Sequence, residues 1–171
     1  MIKKESFLNL IVVSASFAFA ISLAEIALGS IELIAYKAAQ QEEYRQIYSD
    51  ERNTPYLFHH HKNISVLLEK GEYNFTFDTD RNGFRGFNTS HDLSAPSILF
   101  LGDSVTEGAS VETRDSFSNL IEKKLNLKTY NLGTGSYNTK HALELLKAKY
   151  NEDFNAKLIV LGYCLNDTSQ N

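Results

Sequence analysis

From Phe7 to Ala24 the chain carries no charge, and most positions are apolar or small. As a helix rising ~1.5 Å per residue, this run spans about 27 Å, close to the hydrocarbon thickness of a bilayer. Glu25 ends the uncharged run, and apolar character continues to Ala35, broken by Glu32 on the same helix face. Lys3 and Lys4 precede the span and acids follow it, which sets the amino terminus inside. The pattern predicts a cytoplasmic tip over 1–6 and a transmembrane anchor over 7–28. It also predicts a single-pass membrane protein whose bulk is periplasmic or extracellular. A cleaved signal peptide, with Ala18-Phe19-Ala20 as an A-x-A-like site, is the competing reading. A core helix of a soluble fold is the weaker third.

Residues 29–95 read as a stalk and an extended arm. Tyr36 to Thr54 is rich in Gln, Glu, Arg and Lys, which predicts a solvated helix stopped by Pro55. His59-His60-His61 invites a metal reading. On extended backbone, however, adjacent side chains point to alternate faces and cannot all reach one ion, so a solvated loop is expected. Tyr73 to Asp78 alternates aromatic with polar residues, the signature of a half-buried strand. Asp80-Arg81-Asn82-Gly83 is turn chemistry, with Asn-Gly favouring positive φ. The segment should lay an arm against the domain that follows.

From Pro96 onward the pattern changes to strand, helix, strand, helix, strand. Ile98–Leu101 is a short apolar run. Phe117, Leu120, Ile121 and Leu125 recur at i, i+3, i+4 and i+8, predicting an amphipathic helix near 116–125. A short strand over 128–131, a helix over 139–150 and an apolar strand over 158–161 follow. This alternation predicts a parallel, three-layer α/β sheet. With nothing after it, the third strand would be an edge exposing apolar side chains, a surface that pairs with other chains.

Composition narrows the function. The 171 residues carry a net charge of -4, which argues against nucleic acid as a partner. Cys164 is the single cysteine, so no internal disulfide forms, and it reads as a small buried residue. No metal or cofactor is called for. The loop after the first strand lacks a glycine-rich phosphate cradle, which sets aside a flavodoxin-like phosphate or flavin binder.

Chemistry concentrates where the first strand stops at Gly102-Asp103-Ser104. A tight turn there lifts a serine to the carboxyl end of a strand, where open α/β sheets bind ligands. Gly108 lets the backbone pass closely beneath it. Two more blocks end the next two strands: Asn131-Leu132-Gly133-Thr134-Gly135-Ser136-Tyr137, and Gly162-Tyr163-Cys164-Leu165-Asn166-Asp167. In order and spacing the three blocks resemble the SGNH (GDSL-type) hydrolase family over 96–167. Asn82-Gly83-Phe84-Arg85-Gly86 is similar to the lead-in of its membrane-anchored bacterial members.

The resemblance implies a flavodoxin-like sheet with the first strand between the second and third. It implies Ser104 as nucleophile and an oxyanion hole of the Ser104 N–H, the Ser136 N–H and the Asn166 side chain. Gly102, Asp103, Gly108, Gly133 and Asp167 would support them. The family usually has glycine where Ser136 stands, so Gly135 is an alternative donor if the turn is shifted. The family's Asp-x-x-His block, source of the catalytic base, is absent. The chain as given therefore reads as the N-terminal half of an SGNH hydrolase-like domain (96–171), inactive alone. A fragment, a split protein and a degenerate gene product all fit that reading. His141 is a poor substitute base on a surface helix, and His91 should lie at the far edge of the sheet.

The expected substrate is an acyl ester, with an O-acetylated cell-surface polysaccharide as the plausible example. Hydrolase and O-acyltransferase are not separable from these residues, and a non-catalytic membrane-anchored module is the alternative. The oligomeric state is open.

Overall fold

The computed structural model describes residues 4–70, 73–87, 94–150 and 155–164. The chain divides into two compact units, Met1–Glu43 and Tyr44–Asn171. Helix α1 (Lys4–Ile47) forms the first unit and runs a last turn into the second. It is long and apolar enough to cross a membrane. It stops at Ile47, short of the expected stalk end at Pro55. Ile47 is buried with Leu68, Phe75 and Phe77, and its carbonyl accepts from the His61 N–H (2.8 Å). Burial of this one apolar residue outweighs the polar helical pattern beyond it.

Within the second unit, strand β1 (Tyr48–Asp50) pairs antiparallel with β2 (Phe58–His60). The three histidines are thus not a solvated loop. His59 and His60 are buried, and only His61 faces outward. Strands β3 (Ser65–Lys70) and β4 (Tyr73–Asp78) form a second antiparallel pair, with Phe75 and Phe77 buried as the alternation requires. After β4 the chain turns at Asp80. The Asp80 carboxylate accepts from the Asn82 and Phe84 N–H groups (2.7 and 2.9 Å), and Gly83 takes φ +83°. Arg85 then bridges to Asn131 through its N–H (3.0 Å), laying the arm on the main sheet.

The main sheet is parallel, in the order β6-β5-β7, with β5 (Ser97–Gly102), β6 (Lys128–Asn131) and β7 (Ala156–Gly162). β5 is central and buried throughout. One face packs Leu99, Leu101, Tyr130 and Leu132 against Ala142 and Leu145 of α4 (Thr139–Lys149), with Tyr56 and Phe84 of the arm in the same core. The short helix α2 (Ser104–Glu107) follows β5 directly.

Helix α3 (Phe117–Leu125) forms where the periodicity places it, but turns its polar face inward. Glu122 accepts from the Thr129 N–H (3.0 Å), and Ser118 Oγ meets Asn131 Nδ2 (3.2 Å). Phe117 still meets Phe100 edge-on, while Leu120 and Leu125 lie about half exposed. Cys164 is half-buried.

Candidate active site

β5 ends at Gly102, whose φ of +152° an L side chain rarely adopts. A Cβ there would also strike Thr106 Oγ1 and, at 2.7 Å, the Gly162 carbonyl. This closeness lets the chain turn sharply while β5 and β7 stay paired to their last residues, Gly102 against Gly162. Asp103 then caps α2, its carboxylate accepting from the Val105 N–H (3.0 Å). Gly108 closes the helix in the left-handed conformation.

Ser104, the first residue of α2, is half-buried. Its hydroxyl has no hydrogen-bond partner among the described residues. It lines an open cavity of about 320 Å³ with Val105, Gly108 and Val111. A second cavity, of about 220 Å³, runs along β6 beside Phe84, Lys123 and Tyr130 and holds none of the predicted residues.

The loop after β6 is fastened to α2. Asn131 Nδ2 donates to the Thr106 carbonyl (2.8 Å), and its Oδ1 accepts from the Gly133 N–H (2.9 Å). Gly133 lies so close to the Thr106–Glu107 backbone that any Cβ would overlap it. Tyr137 closes a turn onto the Thr134 carbonyl (3.2 Å), with the exposed Ser136 at φ +64°. The left-handed residue of this turn is Ser136. The Gly135 N–H is taken, donating to Glu107 Oε1 (3.1 Å), whereas the Ser136 N–H meets no partner among the described residues. Asn166 and Asp167 lie outside the described residues.

The feature that the sequence reading missed is Glu107. Its side chain and that of His60 are 1% and 0% exposed, with His60 Nε2 at 2.5 Å from Glu107 Oε1. Tyr48 OH donates to the same oxygen (2.7 Å), alongside the Gly135 N–H. His60 Nδ1 lies 3.0 Å from the Gly83 carbonyl, which can only accept, so Nδ1 carries a proton. Oε1 already accepts from two donors, so it acts as a carboxylate oxygen, and Nε2 supplies the third proton. The hydrogen-bond pattern thus assigns an imidazolium–carboxylate pair. Removing either member of a buried pair strands the other charge, at about 3–5 kcal/mol. Burial first, then the Glu107 charge, raises the Tyr48 pKa and keeps its hydroxyl a donor.

Two other buried groups surround this pair. His59 Nδ1 faces Thr134 Oγ1 (3.3 Å), and its Nε2 has no partner among the described residues. Burial, then the neighbouring His60, pushes its pKa well below 6.5, so His59 is neutral. Arg85 lies over the Phe77 ring (4.0 Å), donates to Val111 O (2.8 Å) and Asp78 O (3.2 Å), and also meets Thr113 Oγ1. Burial lowers its pKa to about 10, opposed chiefly by the Glu107 charge.

No histidine among these is placed as a base for Ser104. Both His60 nitrogens are engaged, His59 is turned to Thr134, and His141 sits in the first turn of α4 beside Tyr137. Among the described residues no group of His, Cys, Asp and Glu is set to hold a metal ion. The signal for Glu107 was an acid one helical turn after the serine. No known protein family matches the chain, and neither does any curated protein.

Proposed function

We propose that this protein is an SGNH/GDSL-type serine ester hydrolase, anchored to a membrane by α1 with its amino terminus inside. Its substrate class is an acyl ester, an O-acetylated surface polysaccharide foremost. The observation that carries the reading is Ser104. It stands at the carboxyl end of the central parallel strand, on a turn that glycine permits, with its hydroxyl unpartnered among the described residues and an open cavity before it. The adjacent loop supports it by offering, at Ser136, an N–H with no partner among the described residues.

In this reading Ser104 Oγ attacks the acyl carbon and passes its proton to a base. The carbonyl oxygen becomes an oxyanion held by the Ser104 and Ser136 N–H groups, joined by the Asn166 amide that the resemblance implies. Each such donor lowers the barrier by about 3 kcal/mol. The oxyanion collapses, the alcohol leaves with a proton, and water then hydrolyses the acyl-serine. A sugar hydroxyl in place of water would make the same step an acyl transfer.

No base for Ser104 is found among the described residues, which suggests a direct test. The full chain in detergent micelles is given p-nitrophenyl acetate with increasing imidazole. Imidazole should raise turnover on the order of tenfold above that of Ser104→Ala, since a base contributes at least that much, and leave an acetyl group on Ser104 detectable by mass spectrometry. Equal imidazole-dependent rates with and without the serine would sink the reading. A second reading, a non-catalytic membrane-anchored module, is favoured by the locking of both His60 nitrogens into structural bonds.

A further inference from the structure

Glu107 Oε1 gathers donors from three separate parts of the chain. Tyr48 comes from β1, His60 from β2, and the Gly135 N–H from the loop after β6. Glu107 itself belongs to the four-residue helix that begins with Ser104. We propose that Glu107 is a positioning residue: held by His60 and Tyr48 of the arm, it fixes the loop that presents the Ser136 N–H against the helix that carries Ser104. Its catalytic meaning rests on the serine hydrolase reading above.

The geometry leaves this loop little slack. The Gly135 and Ser136 N–H groups lie in successive peptide units, and the Tyr137 N–H bond to the Thr134 carbonyl (3.2 Å) closes the turn across both, so anchoring the Gly135 N–H also restrains the unit that carries the Ser136 N–H. On the near side Gly133 already lies against the Thr106–Glu107 backbone. On the far side a Cβ at Gly135 would fall 2.6 Å from Tyr48 OH and 3.3 Å from Glu107 Oε2. The loop is thus wedged between α2 and the arm, with the carboxylate at the junction.

An apolar side chain could fill the same space. It could not aim an N–H, because dispersion has no direction while a charge-assisted hydrogen bond does. A buried ion pair is also a poor source of stability compared with apolar packing, so orientation is the property it supplies here. The second carboxylate oxygen is buried with no partner among the described residues. Among the described residues, the bonds that hold this carboxylate therefore converge on Oε1, the oxygen that accepts from the loop's Gly135 N–H.

The test uses the full chain in detergent micelles, with amide exchange followed by NMR beside the imidazole-supported ester assay. In the wild type the Gly135 amide should exchange on the order of a hundredfold more slowly than that of the exposed Ser136, as a hydrogen-bonded amide does. Glu107→Gln should speed Gly135 exchange and lower kcat, each about tenfold, with KM within about twofold, because the lost interaction acts in the transition state. Tyr48→Phe removes one donor without stranding a charge, and should move both quantities in the same direction by less. It also carries the test if Glu107→Gln does not fold.

Gly135 exchanging as fast as Ser136 in the wild type would overturn the clamp outright. A Glu107→Gln effect confined to KM, or an unchanged kcat beside faster exchange, would reduce Glu107 to a structural tie. Failure of the hydrolase reading is separately visible as turnover indifferent to Ser104→Ala. In that case a protected Gly135 marks a structural tie, and the positioning role falls.

Discussion

His59 and His60 are neighbours in the sequence but differ in charge. His60 is fixed as an imidazolium by two acceptors, Gly83 O and Glu107 Oε1. His59 sits beside that positive charge in the same buried layer, with ring centroids 4.9 Å apart, and stays neutral. Its folded pKa lies below the unfolded value of 6.5, so the unfolded chain binds the extra proton more readily. The stability His59 contributes is therefore complete above pH 6.5 and is lost as pH falls from there toward the folded pKa.

Urea unfolding of the full chain at pH 5 and pH 7.5 should show this loss, with a slope of up to about 1.4 kcal/mol per pH unit for one proton. His59→Gln should flatten it over that range. An equal slope in the variant would place the acid sensitivity elsewhere. The histidine run was illegible for a physical reason. The period-two rule says where neighbouring side chains point, not what covers each side. Here Thr134 receives one ring and Glu107 the other, 75 and 47 residues away. The Gly102-Asp103-Ser104 turn was legible because its cause is local: an apolar strand, then a residue that accepts positive φ.

At the scale of elements, the order and bounds of the three parallel strands follow from apolar runs and turn residues a few positions long. Which face of α3 is buried does not, because hydrogen bonds from Glu122 and Ser118 to β6 outweigh the apolar stripe. Among the described residues β7 pairs with β5 alone, and it shows the consequence of an edge. Leu158, Ile159 and Leu161 are 52%, 45% and 45% exposed, on both faces of a parallel strand that pairs with β5. Such an edge templates pairing with other chains. In sedimentation velocity at fixed detergent, the chain should self-associate with concentration. Ile159→Lys, at an exposed position, should weaken that association about tenfold by adding a charge to the edge. Identical sedimentation of the two proteins would remove β7 from the contact.

For the whole molecule, the legible parts were those that need no long-range information: an apolar helix, an arm with alternating aromatics, and a parallel α/β sheet. The network that joins arm to sheet was not legible, because Tyr48, His60, Glu107 and Gly135 are ordinary residues until the fold assembles them. The first unit carries its own prediction. α1 is apolar over a length suited to a bilayer, so the full chain should stay with membranes through an alkaline carbonate wash and leave them only in detergent. Recovery in the carbonate supernatant would show that the helix does not anchor the chain, as expected if it were removed as a signal peptide.

The position of Glu107 also sets a clock. The ribosome makes Tyr48 and His60 first, and the carboxylate that receives them comes 59 and 47 residues later. At roughly 5–20 residues per second, Tyr48 waits about 3–12 s for its partner. Throughout that interval the arm has no carboxylate to bind, and His60 has no reason to leave water. The arm cannot lock until Glu107 is made, and the loop that presents the Ser136 N–H is made later still, so that loop takes its final shape only after both.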